Sequence, residues 1–146
     1  MASRTAVIVV GSHHAGKSKT IREFLKPMLG IGKSAHIFSL DKREGHIASQ
    51  SREEATWQRN AKGRVDSQSL EEAGRKDVAR TVRRHTHYDL RVMAARPQGE
   101  EGSLLNRLRE ALEDENYRVN VINVTAGQSE SEYEASAAEI LRHLRN

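Results

Sequence analysis

Apolar residues follow two alternating patterns along the chain, short β-branched runs and helical stripes. The run from Thr5 to Val10 ends at Gly11, as a fully buried parallel strand does. Apolar side chains then recur at i, i+3, i+4, i+7 and i+8, which predicts one amphipathic helix. These residues are Ile21, Phe24, Leu25, Met28 and Leu29. We expect Pro27 to kink or fray the last turn of this helix, and Gly30 to end it.

The same patterns continue to the end of the chain, with one interruption. The predicted strands span 35–40, 88–95 and 117–124, and the predicted helices span 69–84, about 104–112 and 131 onward. Residues 42–68 are almost wholly polar, and we expect a mobile excursion there. The alternation predicts one α/β domain over residues 1–146. Its expected form is a three-layer α/β/α sandwich with a mostly parallel sheet of four to five strands.

Composition narrows the class of protein. The chain has 146 residues, no cysteine and a formal net charge of +4, so disulfides and thiolate metal sites are excluded and anionic ligands are favoured. Its apolar run at 6–10 is too short for a signal peptide, and no window approaches the ~18 apolar residues of a membrane span. We therefore expect a cytoplasmic protein with no membrane partner. Aromatic residues are 4% of the chain, so nucleic acid is not an expected partner.

One glycine-rich segment carries specific chemistry. Residues 11–18 read Gly-Ser-His-His-Ala-Gly-Lys-Ser and match G-x-x-x-x-G-K-[ST] at every fixed position. Glycines allow a tight turn around an anion, and the helix that follows directs its positive end at phosphates. Lys17 is placed to reach the β- and γ-phosphates, and Ser18 to bind Mg²⁺. The predicted nucleotide-binding residues are Gly11, Ser12, His13, His14, Ala15, Gly16, Lys17, Ser18 and Lys19.

The strand, loop and helix from Thr5 to Leu29 resemble those of the P-loop NTPase superfamily. The resemblance implies a nucleotide, ATP or GTP with Mg²⁺, at the carboxyl edge of the sheet. The short chain and the acid after the second strand are most similar to the small-molecule kinases. One departure is clear, since the strand at 90–95 runs into Arg96 where the superfamily has a metal-binding acid. Guanine-specific and switch motifs are absent from the sequence, so a regulatory GTPase is not expected.

Asp41 and Arg96 each follow a predicted strand, and strand ends face the ligand crevice in this kind of sheet. We expect Asp41 to bind the metal through water or to accept a proton from a substrate hydroxyl; the alternative is an ordinary turn cap. Arg96 is expected to contact a phosphate or the acceptor, or else to be a plain surface arginine. His13 and His14 are interpreted as loop residues near the phosphates. The arginines of the helix at 69–84 are interpreted as a solvated face.

These residues predict ATP-dependent phosphoryl transfer to a small-molecule acceptor. Lys17, Asp41 and Arg96 are the expected catalytic residues, with Ser18 and Asp41 at the metal. The alternative is a nucleotide-binding module or slow NTPase that acts as a conformational switch without an acceptor. The missing acid at the end of the strand at 90–95 favours that alternative, whereas Asp41 and the small size favour the kinase.

Overall fold

The computed structural model describes residues 4–12, 15–41, 60–74 and 77–145, with the side chains of Asp41 and Asn60 outside that description. Five strands form one sheet in the order β2-β3-β4-β1-β5. They are β1 (Arg4–Val10), β2 (Ile37–Asp41), β3 (Asn60–Val65), β4 (Leu90–Ala95) and β5 (Tyr117–Asn123). β1 pairs in parallel with both β4 and β5, and β3 with β4, whereas β2 is antiparallel to β3. The sheet is therefore mixed but mostly parallel.

The helices lie on both faces of the sheet. The first, α1, is continuous through Lys17–Lys19, a π-helical segment Thr20–Leu25, and Lys26–Met28. The others are α2 (Leu70–Ala73), α3 (Val78–Arg83), α4 (Leu105–Asp114) and α5 (Glu130–Arg145). None of the helices in the described ranges is long and apolar enough to cross a membrane.

Pro27 affects α1 differently from the predicted fraying. The Lys26 amide donates to the carbonyl of Ile21, five residues back, which is the π-helical pattern. Proline has no amide proton, and its ring clashes with the carbonyl four residues earlier. A wider turn before Pro27 relieves that clash, so the helix continues to Met28. The left-handed Gly30 (φ 74°) follows it, as expected.

Two apolar clusters pack on the two faces of the sheet, one on each face. Alternate residues of β1, Val7 and Val9, pack with α1 and α5, while Ala6, Ile8 and Val10 pack with α2, α3 and α4. This period-2 alternation places apolar side chains on both faces of a strand that is itself central. The arrangement is compatible with the expected three-layer sandwich.

The prediction of an excursion over residues 42–68 is wrong for residues 60–65, which form a strand. Residues 42–59 lie outside the described residues. Asn60–Val65 is an inner strand, because β3 pairs with both β2 and β4. The sequence of β3 does not predict an inner strand, because its residues facing α1 and α5 are small. Gly63 leaves room for the Phe38 ring, which would come within 2.2 Å of a Cβ at that position. The Phe38 ring of the neighbouring strand β2 thus supplies the apolar surface over β3 at Gly63, where β3 has no side chain of its own.

The single helix expected at 69–84 is two short helices. Gly74 adopts a left-handed conformation (φ 67°) and ends α2, and the Asp77 side chain accepts from the Arg80 amide to begin α3. The predicted cap is confirmed, because Ser69 Oγ accepts from the Glu72 amide at 3.2 Å. An internal glycine followed by a capping Asp breaks a helix that apolar spacing alone would continue.

Candidate functional site

The glycine-rich loop lies at the carboxyl edge of the parallel strands. The Gly11 amide donates to Ala95 O of β4 at 3.1 Å, and the Val124 amide donates to Val10 O at 2.8 Å. These bonds hold the loop between the ends of β4 and β5. The predicted placement of the loop, after a buried strand and before a helix, is confirmed.

Gly16 is the turning point of the loop. It has φ 95° and ψ 18°, a left-handed conformation that favours glycine. A Cβ at this position would lie 2.7 Å from the Tyr133 ring of α5, so the aromatic side chain packs directly on the backbone. The Gly16 carbonyl accepts from both the amide and the hydroxyl of Thr20, each at 2.8 Å. Two separate constraints, the turn and the close packing, therefore require glycine here.

Lys17 is folded over its own loop. Its side chain is only 4% exposed, and Nζ donates to the carbonyls of Gly11 at 2.5 Å and Ser12 at 3.1 Å. Burial lowers the pKa of Lys17, and nearby carboxylates, Glu72 first, act in the opposite direction. The ammonium group is thus held at the first two residues of the loop, where it is poorly solvated and has two neutral oxygen acceptors.

Helix α2 brings carboxylates next to Lys17. Glu72 Oε1 lies 3.9 Å from Lys17 Nζ. Glu71 Oε2 accepts from the amides of Arg96 at 3.1 Å and Leu104 at 2.7 Å, which ties α2 to the end of β4 and the start of α4. Glu71 Oε1 is buried and has no hydrogen-bond partner among the described residues. The sequence marked these acids only as part of a helix cap, and no local signal identifies them as neighbours of Lys17.

The structure describes some of the remaining predicted loop residues and leaves others outside the description. Ser18 and Lys19 are exposed in the first turn of α1, beside a cavity of about 290 Å³ that Arg22 and Lys33 also line. Lys19 Nζ lies 5.3 Å from the centre of the Tyr133 ring, a cation–π contact. His13 and His14 lie outside the described residues.

The predicted role of Asp41 conflicts with its place in the sheet. β2 runs antiparallel to β3, so Asp41 pairs with Asn60, the first residue of β3. The strand register places it about nine residues from Gly11 along the strand direction, or about 30 Å at ~3.3 Å per residue. Asp41 is therefore at the opposite edge of the sheet from the loop. The prediction assumed a parallel second strand, which would have ended beside Lys17.

Arg96 lies near the loop, but its side chain is held by its own segment. Nε is 4.0 Å from Glu100 Oε1, and Nη1 donates to the carbonyl of Glu101 at 3.5 Å. The positive charge of Arg96 acts on Lys17 and lowers the pKa of that ammonium. The structure thus brings Arg96, Lys17 and Ser18 to the same edge and separates Asp41 from them.

The chemistry of this edge suits a magnesium ion carried by a phosphate ligand. Mg²⁺ in such sites takes one or two protein oxygens, with phosphate oxygens and water completing its shell. Ser18 is exposed at the start of α1, and Glu72 and the unpartnered Glu71 Oε1 lie on the adjoining helix. A site built only from protein ligands is not found in the described ranges, where no three His, Asp or Glu side chains are grouped to hold a metal. Comparisons of the chain with protein-family models, curated proteins and solved structures give no match.

Proposed function

We propose that this protein binds a nucleoside triphosphate with Mg²⁺ at the loop Gly11–Ser18, in a cytoplasmic setting and with the P-loop fold. The buried Lys17 ammonium carries this proposal, because its only hydrogen-bond acceptors in the described structure are carbonyls of the loop itself. A phosphate in the loop would replace these weak acceptors with charged oxygens. Charge-assisted hydrogen bonds are about twice as strong as neutral ones.

Each loop residue has a defined part in this binding. The left-handed Gly16 and the start of α1 direct backbone amides and the positive helix end toward the phosphates. Lys17 supplies the charge for the β- and γ-phosphates. Ser18 and a carboxylate of α2 would hold the Mg²⁺, which neutralises phosphate charge when bound.

We propose that the response to nucleotide is conformational, with hydrolysis that is slow. A Lys17 ammonium that turned to a phosphate would give up its contacts with Gly11 O and Glu72. Nucleotide binding would therefore release Glu72 and, through Glu71, change how α2 is held against Arg96 and Leu104. The site of Asp41 at the far edge supports this function, since the acid expected to activate an acceptor hydroxyl is not beside the loop.

Phosphoryl transfer to a small molecule is the second candidate. The carboxylate of Glu72, 3.9 Å from the Lys17 ammonium, favours it because a general base must lie close to the transferring phosphoryl group. Nucleotide turnover measured with and without small hydroxylated acceptors separates the two functions. Acceptor-stimulated ADP release supports the kinase, and slow turnover that no acceptor stimulates supports the switch.

Calorimetry of ATP and GTP binding with Mg²⁺ tests the proposed site. Lys17→Ala should weaken binding by roughly 100-fold, the scale of two lost charge-assisted contacts. Lys62→Ala is the matched control, because Lys62 is an exposed lysine of β3 and its loss should leave affinity unchanged. Absence of binding heat for the folded wild-type protein with both nucleotides would overturn the proposal.

A further inference from the structure

A cavity of about 370 Å³ lies on the face of the sheet that packs against α2, α3 and α4. Its walls come from β3 and β4 on one side and from α2 and α3 on the other. None of the described loop residues, 11–12 and 15–19, lines it, so it is distinct from that part of the loop site. Helix α2 lies between the two, since Leu70 and Ala73 line the cavity while Glu72 faces Lys17.

Arg91 of β4 is a buried cation in the wall of this cavity. The residue is 0% exposed, and it donates at 3.4 Å to Val82 O, which is long for an oxygen acceptor, and at 3.4 Å to Met93 Sδ. Burial lowers the pKa of Arg91, and Tyr117 and Asp66 act in the opposite direction. The Nε–H group is buried and has no hydrogen-bond partner in the described part of the chain. Because an unpaired buried donor is costly, this guanidinium has unused capacity to bind an acceptor.

The charges around Arg91 are mostly positive. Arg64, Arg84 and His85 line the cavity with it, and among the lining residues that the structure describes Asp66 is the one carboxylate. Asp66 is already engaged by Arg64, at 3.3 Å through Oδ2 and 3.2 Å through Oδ1. Its distance to Arg91 Nη2 is 3.9 Å, beyond hydrogen-bond length. One carboxylate therefore balances several cations, and the cavity has a positive potential.

The state of His85 agrees with that potential. Burial lowers its pKa, and the positive charges of Arg64 and Arg91 lower it further. An imidazole held neutral by neighbouring cations would become easier to protonate if an anion entered the cavity.

We propose that this cavity binds an oxyanion of a small molecule, a phosphoryl or carboxylate group, between Arg91, Arg64 and Arg84. Guanidinium groups present paired donors that match the oxygens of both groups. The ligand would supply the negative charge that Asp66 alone does not. This site does not depend on nucleotide binding at the loop.

The test follows the Arg91 Nε–H resonance by NMR in the Lys17→Ala protein, where the loop site is weakened. Inorganic phosphate and succinate are titrated separately, as phosphoryl and carboxylate probes. We expect saturable movement of this resonance by at least one probe, and the probe that acts at lower concentration assigns the ligand class. If neither probe moves it, the proposal is wrong. This outcome is independent of nucleotide binding by the wild-type chain.

A variant pair makes the test specific to the cavity. Arg84 and Arg83 are neighbouring exposed arginines at the end of α3, but only Arg84 lines the cavity. Arg84→Gln should weaken binding of the effective probe by about tenfold, the scale of one charged contact, while Arg83→Gln should not change it. Equal affinity in both variants and the parent protein would contradict the proposed site.

Discussion

Lys17 and Arg91 are both buried cations, but their surroundings differ in sign. Lys17 lies among carboxylates, with Glu72, Glu71 and Glu100 opposing the effect of burial on its pKa. Arg91 shares one carboxylate, Asp66, with another arginine and retains an unpaired donor. A lysine whose acceptors are neutral loop carbonyls can exchange them for a charged ligand. The guanidinium of Arg91 is fixed in a strand and instead leaves an electropositive cavity beside it.

The largest expected effect is at Gly16, which shapes only the loop site. In Gly16→Ala the added Cβ would face the Tyr133 ring at 2.7 Å with φ at 95°, so both packing and backbone are strained. Nucleotide affinity should fall by roughly 100-fold or more, since displaced amides no longer point at the phosphates. Calorimetry measures this change. Gly99→Ala, a left-handed glycine with open space around its Cβ, controls for backbone strain alone.

Next in size is the removal of Glu71, which holds α2 against the end of β4 and the start of α4. Glu71→Ala should lower the free energy of unfolding by about 2 kcal/mol, because the partly buried amides of Arg96 and Leu104 lose their acceptor. Urea denaturation measures it. Glu110→Ala, at an exposed position of α4, should change stability by less than about 0.5 kcal/mol. Equal stability of the two variants would show that α2 is not held through Glu71.

Replacing each of the two buried cations by methionine should change the free energy of unfolding by a smaller amount. The changes in the two variants should have opposite signs. In Arg91→Met the free energy of unfolding should stay the same or rise by up to about 1 kcal/mol, because an apolar side chain replaces a poorly satisfied charge. Lys17→Met should lower it by about 1 kcal/mol, because two carbonyls and Glu72 lose their donor. Urea denaturation of both variants measures the contrast. If Arg91→Met lost as much stability as Lys17→Met, the proposed difference between the two sites would be wrong.

The pH response of His85 sharpens the same contrast. The groups acting on its pKa are Arg64, Arg91 and His87, which lower it, and Asp66, which raises it. Because the folded pKa lies below the ordinary 6.5, stability is lost as pH falls through that ordinary value. Arg91→Met removes one of the lowering charges, so the His85 pKa should rise and the loss should become smaller. NMR titration of the imidazole checks the shift, and an unchanged pKa would mean that Arg91 does not act on His85.

The smallest effect is expected at Asp41, which the strand register separates from the loop. Asp41→Asn should leave nucleotide affinity and turnover within about twofold of wild type, because no catalytic contact spans about 30 Å. Steady-state turnover provides the measurement. A 100-fold loss of turnover with unchanged folding would restore the catalytic role that the sequence suggested.

The sequence by itself determined the elements whose signal is local. The β-branched run at 5–10, the loop at 11–18 and the stripe of α1 each contain their own pattern. The structure places the run, the described loop residues 11–12 and 15–18, and α1 as predicted. The left-handed Gly16 is also local, because only glycine tolerates that backbone conformation without cost. The predicted strands 88–95 and 117–124 are confirmed as β4 and β5 for the same reason.

Only the tertiary structure decided which residues meet. Strand direction is not encoded in a strand's own apolar pattern, so the antiparallel β2 that removes Asp41 from the loop could not be predicted from residues 35–41. The small side chains of β3 conceal an inner strand because Phe38 of β2 fills the space above Gly63. Glu72 meets Lys17, and Asp66 meets Arg91, across long chain separations. Periodicity reports which face a side chain occupies, whereas the charge around it depends on neighbours that only folding brings close.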